Sequence, residues 1–273
     1  PWGRNTVVMN APFYWVDAFT PKPFSGNPAA VCLLSAPLGE EVMQKLAEEF
    51  GLSETAFAWP ENDGYRLRWF TPTAEVRLCG HATVATATAL WSHNPNLMDL
   101  IFYTHSGKLE AVQRDGKVQL TFPARPPAKF PMPEGLAEAI GVSREKVLWC
   151  GRDVDDYLLL LPTEDDVRAL NPDFRALLEV ETRGTIFTAP SDSPEFDFVS
   201  RFFAPQVGVN EDPVTGSAHC CLAPFWSERL RKKLFQARQL SARGGHLEVE
   251  LVADRVHLRG DSFVLVNGTV SII

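Results

Sequence analysis

Glu54, Cys79, His81 and Asp212 are the side chains whose types and settings point to chemistry. Glu54 interrupts an apolar stretch, LSETAFAW, where a carboxylate is costly unless it serves a purpose or is solvated at a strand start. Half-buried, its charged form is disfavoured, which raises its pKa toward neutrality, where one group can both take and return a proton. His81, in RLCGH, lies at an expected helix start, where the dipole favours the neutral imidazole; a hydrogen-bonded structural histidine is the plainer reading. Asp212, in NEDPVTGS, either caps the turn before Pro213 or accepts a hydrogen bond from His81 or a proton from a substrate. Cys79 supports a rival, a two-thiol racemisation at paired helix starts.

These residues gain meaning from an internal duplication. GKLEAVQRDGKVQL from Gly107 reappears as GHLEVELVADRVHL from Gly245, Phe70-Thr71-Pro72 as Phe203-Ala204-Pro205, and Gly80-His81-Ala82 as Gly216-Ser217-Ala218. Thr55, Phe57 and Pro60 recur at Thr185, Phe187 and Pro190, and the spacing between copies widens steadily along the chain. The copies disagree where chemistry is suspected. Glu54 faces Gly184, His81 faces Ser217 and Cys79 faces Thr215, so the ionisable set belongs to the first copy and half of any thiol pair is missing.

The elements that must position these groups follow from periodicity. VDAF, AAVCLL and SETAFAW read as strands, and Gly39 to Phe50 as a helix closed by Gly51. YLLLL, a helix near Asp165 to Leu178, and GTIFTA repeat the scheme. ATVATATALW is small or apolar all round and predicts a helix buried on every side. Its counterpart, AHCCLAPFW, contains Pro224, which predicts a kink or stop near Ala223. The fold class is therefore α+β: two pseudo-symmetric domains, each a curved, mostly antiparallel sheet wrapped around a central buried helix. The expected domains are 10–122 and 123–273, joined by the Pro-rich Phe122 to Gly135, with the last strand the candidate to cross back to the first. Pro1 to Val8 read as a leader appended ahead of a native start at Met9. Both central helices begin at a glycine. Helix N-termini carry unpaired N–H groups, so Gly80, Gly216 and Ser217 are candidates to bind anionic oxygens, and the two starts are expected to share a crevice; tight turns alone would also explain the glycines.

Composition removes other classes. The 273 residues carry 26 Lys and Arg against 34 Asp and Glu, a net charge of −8, which does not suit capture of nucleic-acid phosphates. No long apolar run predicts a membrane span, and no secretory leader is visible. Cysteines at 32, 79, 150, 220 and 221 lack C-x-x-C spacing, which predicts free thiols in a reducing, cytoplasmic setting. His219-Cys220-Cys221 cannot converge on a metal from one helix turn. H-E-x-x-H, P-loop, G-x-G-x-x-G and G-x-S-x-G strings do not occur.

In DAFTPKPFSGNPAAVCLL, SETAF, FTPTAEVRLCGHAT and FFAPQVGVNEDPVTGSAH the chain resembles the phenazine biosynthesis PhzF-like isomerases, which share the diaminopimelate epimerase-type fold. The resemblance implies an active site in a cleft between the domains, a homodimer, and no cofactor or metal. It also implies a glutamate at Glu54 that shuttles a proton on a cyclic dihydroxy-diene carboxylate, assisted by His81 and Asp212, with turns at Gly80 and Gly216-Ser217 cradling the substrate. The expectation is a cofactor-independent isomerase of a small, cyclic or unsaturated carboxylate, because one carboxylate on one face moves a proton between carbons, whereas inversion needs bases on both faces. A Cys79-dependent epimerase or racemase, and a catalytically silent binding or scaffold protein, are the alternatives.

Overall fold

The structure, a computed structural model, describes residues 9–272; the leader expected at Pro1 to Val8 lies outside them. The first half of the chain forms β1 (Met9–Ala18), β2 (Asn27–Leu33), α1 (Glu40–Phe50), β3 (Glu54–Glu61), β4 (Gly64–Phe70), β5 (Glu75–Val76), α2 (Gly80–His93), β6 (Leu100–Thr104), β7 (Gly107–Arg114) and β8 (Lys117–Pro123). There follow β9 (Ala128–Lys129), α3 (Leu136–Ala139), β10 (Trp149–Arg152), β11 (Asp156–Leu160), α4 (Glu164–Arg168), α5 (Phe174–Leu177), β12 (Gly184–Pro190) and β13 (Phe198–Phe203). The chain closes with α6 (Gly216–Leu230), β14 (Leu234–Gln239), β15 (Gly245–Val252), β16 (Arg255–Gly260) and β17 (Ser262–Ile272). Two compact units result: one takes in residues up to 23, 28–120 and from 261 onward, the other 24–27 and 121–260.

In the first unit β1 pairs antiparallel with β17 from Met9↔Ile272 to Ala18↔Ser262. The sheet continues through β2, β3, β4, β6, β7 and β8. Helix α2 packs against β1, β3 and β17. Its residues from His81 to Ala87 are buried, as are Ala89, Leu90 and Trp91, matching the all-round apolar reading. Small side chains permit that close approach, and the hydroxyls of Thr83, Thr86 and Thr88 are satisfied within the helix by the carbonyls of Cys79, Ala82 and Val84. On α1, Met43 and Ala47 are buried in one cluster with Phe57 and Phe70. That helix ends where Gly51, at φ 64°, returns its N–H to the Ala47 carbonyl.

The second unit repeats the ladder. Its order is β9, β10, β11, β12, β13, β14, β15 and β16. Parallel β2–β3, Ala29↔Glu54 to Leu33↔Ala58, corresponds to parallel β11–β12, Asp156↔Gly184 to Leu160↔Thr188. Antiparallel Thr55↔Phe70 corresponds to Thr185↔Phe203, parallel Tyr65↔Phe102 to Phe198↔Ala237, and antiparallel Ala111↔Leu120 to Val249↔Leu258. Chance similarity of sequence would not reproduce registers and strand senses together.

Two expectations are corrected. The helix near Asp165 to Leu178 is two short ones, because Pro172 denies Asn171 helical backbone and Asp173 starts α5 by accepting from the N–H groups of Arg175 and Ala176. Pro224 does not stop the second central helix at Ala223; α6 runs through it to Leu230. A proline there deprives the Cys220 carbonyl of its helical donor, and the Arg125 N–H supplies one instead at 2.9 Å. The linker thus completes the helix that follows it. No helix among the described residues is long and apolar enough to cross a membrane.

Candidate functional site

In the first unit the fold brings together Glu54, His81 and Cys79. Glu54 opens β3, Cys79 is the residue before α2, Gly80 is the first residue of that helix and His81 the second. The Glu54 carboxylate oxygen Oε2 lies 3.2 Å from His81 Nε2, with the two side chains 15% and 6% exposed. Ser53 Oγ is 3.4 Å from the same nitrogen, and Cys79 Sγ is 3.5 Å from Nδ1 on the other edge of the ring. The Glu54–His81 approach is at ion-pair distance, and Oε2 is buried without an aligned hydrogen bond.

The electrostatics run opposite to the sequence expectation. Burial pushes the Glu54 carboxyl up, but the charge of His81 and polar contacts with His81, Ser53 and Cys79 outweigh it, and the pKa is lowered. Burial pushes the His81 imidazole down, yet Cys79 and Glu54 hold it well above its ordinary value, where a helix dipole alone would have depressed it. Both shifts favour the charged forms of the pair. Sequence periodicity located both groups but not their contact, and the contact sets the sign.

For Cys79, burial first and the Glu54 charge second push the thiol up. The racemase alternative needs a thiolate, which this environment disfavours. Its second thiol is also poorly placed: Cys220 and Cys221 are buried inside α6, and burial pushes Cys220 up to about 12. The donor atoms of Glu54, Cys79 and His81 lie within 4.8 Å of one another, so the set has metal-binding residue types. Cys79 Sγ approaches Nδ1 while Glu54 Oε2 approaches Nε2, so the two neighbours meet different ring nitrogens.

In the second unit Asp212 sits in a closed network. Asn27 Nδ2 donates to its Oδ1 at 2.7 Å and Thr215 Oγ1 to its Oδ2 at 2.5 Å. Gln239 Nε2 donates to the Asp212 carbonyl at 2.7 Å and to Thr215 Oγ1 at 3.1 Å, while its Oε1 accepts from the Thr215 N–H at 2.9 Å. Asn27 and Gln239 are fully buried. Gly216 and Ser217 open α6 beside this network, and Arg183 Nη2 donates to Ser217 Oγ at 3.1 Å. The sequence reading missed Asn27, Gln239 and Arg183. Asn27 stands in the quoted GNP string, and Arg183 precedes the counterpart of Glu54, but neither carries a local signal of its partner.

Comparison with known proteins identifies the chain's relatives. The family profile described as phenazine biosynthesis-like protein, PhzC-PhzF, matches residues 16–271. An uncharacterized isomerase from Halalkalibacterium halodurans is 49% identical over 258 residues, covering 93% of this chain and 96% of its own. Another, from Pseudomonas aeruginosa, is 46% identical over 263 residues, covering 96% and 99%. The crystal structure of a PhzF-family phenazine biosynthesis protein from Enterococcus faecalis superposes with a TM-score of 0.91 at 40% identity, covering 96% of this chain and 99% of its own.

Proposed function

Because the chain belongs to the phenazine biosynthesis-like PhzC-PhzF family, we propose that it is an isomerase in which Glu54 moves a proton between carbons of a small cyclic or unsaturated carboxylate. Relatives named as isomerases support the reaction class. The observation that supports the finer reading is the 3.2 Å pair of Glu54 with His81, which lowers the carboxyl pKa and raises that of the imidazole. In the proposed step Glu54 takes a proton from an allylic carbon, and the C–H electron pair forms a new C=C bond as the old one shifts. Glu54 exchanges that proton with solvent while the intermediate is bound and then protonates the far carbon. Nothing is oxidised or reduced, and the atoms balance, so the residues suffice without a cofactor.

His81, as imidazolium, stabilises negative charge building on the substrate and steadies the carboxylate between the two transfers. Asp212, held by Asn27 and Thr215, is assigned the orientation of substrate polar groups, and the helix starts at Gly80, Gly216 and Ser217 the binding of anionic oxygens. The test is incubation in deuterated water with small unsaturated carboxylates, cyclohexa-2,5-diene-1-carboxylate among them, read by mass spectrometry. Deuterium uptake by the natural protein and its loss in Glu54→Gln is the expected result; uptake that persists in the variant removes Glu54 from the mechanism.

A further inference from the structure

The corresponding parallel ladders expose a second buried ion pair that the proton-transfer reading does not use. In the first unit Glu54 is paired across the ladder with Ala29; at the equivalent rung the second unit has Gly184 paired with Asp156. The carboxylate has moved one strand across. It is fully buried there, and Arg183 binds it with both Nε, at 2.9 Å to Oδ1, and Nη2, to Oδ2. Arg183 precedes β12 as Ser53 precedes β3. Each reaches the second residue of its unit's central helix, Ser53 to His81 at 3.4 Å and Arg183 to Ser217 at 3.1 Å.

Both units thus hold a carboxylate–cation pair at the start of a parallel strand pair, beside the central helix start. The chemistry differs because a guanidinium holds its proton at any ordinary pH. The Arg183 side chain also lies over the Phe202 ring, 5.6 Å to its centroid. A side chain at Gly184 is blocked: a Cβ there would meet Phe202 ring carbons at 2.3 and 2.7 Å. This unit is therefore built around a fixed charge at the point where the other carries a proton.

We propose that Arg183 is a positioning residue that makes the Ser217 hydroxyl a hydrogen-bond donor to a carboxylate oxygen of the substrate, a role that rests on the isomerase reading for the identity of that substrate. An Arg N–H pointed at Ser217 Oγ occupies a lone pair of the hydroxyl and directs its O–H outward, and Ser217 is only partly buried. Polarisation by the guanidinium strengthens that donor. Bidentate attachment to Asp156 fixes the fork, so the hydroxyl is oriented before a ligand arrives.

The test is a double-mutant cycle on binding of cyclohexa-2,5-diene-1-carboxylate to the full chain, measured by calorimetry for the natural protein, Ser217→Ala, Arg183→Lys and both together. Lysine keeps a counter-charge for Asp156 but has no fork to serve Ser217 as well. Each single change is expected to weaken binding about tenfold, and the pair no more than either alone. A second variant, Arg183→Met with Asp156→Leu, removes the ion pair without orphaning a buried carboxylate and is expected to show the same loss. In the deuterium assay Arg183→Lys is expected to raise KM while kcat stays within about threefold, which a merely structural lesion would not do. Losses that multiply, an Arg183→Lys protein that binds as tightly as the natural one, or a natural protein that binds no better than the double variant overturns the assignment. Glu54→Gln is expected to retain binding and lose exchange. Exchange that survives in it defeats the isomerase mechanism alone, while the binding cycle still decides Arg183.

Discussion

The starts of the two central helices solve opposite problems. Around α2, Glu54, His81 and Cys79 stand 3.2 and 3.5 Å apart, near contact but loosely bonded, and each can exchange a proton. Around α6, Asp212 is clamped by Asn27 and Thr215 at 2.7 and 2.5 Å, and the cation near Ser217 is an arginine. A proton carrier needs an acceptor not fully committed to fixed donors, whereas a group that orients a ligand benefits from having no freedom left. Duplication supplied two equivalent frames, and on the proposed reading the side chains divide the tasks between them.

The largest test of this division is Glu54→Gln. Loss of a positioned base is expected to cut exchange by about 10²–10⁴-fold in the deuterium assay. If Asp212→Asn causes the same collapse while Glu54→Gln does not, the roles are reversed.

The pH profile sharpens the comparison next. Glu54 must be ionised and His81 protonated, so exchange is expected to fall as pH drops through the lowered carboxyl pKa and again as pH rises through the raised imidazole pKa. Stability follows the same signs. The Glu54 contribution is present above its ordinary value of 4.5 and lost as pH falls through the lower folded value; the His81 contribution is present below 6.5 and lost as pH rises through the higher folded one. Denaturant titrations across pH should therefore place the pair's full contribution between those ordinary values. His81→Gln should abolish the alkaline limb and move the acid limb upward, because burial then acts on Glu54 without its cation.

A smaller effect is expected in the second unit. Thr215→Val leaves Asp212 without one of its charged hydrogen bonds and should cost about 2 kcal/mol in urea denaturation, with the Glu54 pH limbs unmoved. Smallest is Pro224→Ala, where relief of a helix-interior proline would ordinarily gain about 3 kcal/mol. With the Cys220 carbonyl already served by Arg125, the change should stay within about 1 kcal/mol by the same measurement.

Much of this architecture was legible in one dimension. Period-two and all-round apolar patterns located strands and the buried α2, and matched strings announced the repeated ladder, because hydrophobic periodicity is a local property of the chain. The break at Asn171-Pro172 and the survival of α6 past Pro224 were not legible. The first depended on a capping aspartate competing with a weak periodic signal, the second on a donor about a hundred residues away. Among site residues, Glu54, His81 and Asp212 stood out by mismatch between copies or by turn chemistry. Asn27, Gln239 and Arg183 did not, since an amide or guanidinium reveals its task only through the group it touches.

Residue types and their order alone determined the two-copy α+β plan and the asymmetry that leaves Glu54 and His81 in the first copy. Folding alone brought Glu54 and His81 into contact. Burial pushes the carboxyl up and the imidazole down, and the 3.2 Å approach of Glu54 Oε2 to His81 Nε2 turns both shifts the other way, because Coulomb attraction depends on distance in space and sequence separation does not specify that distance.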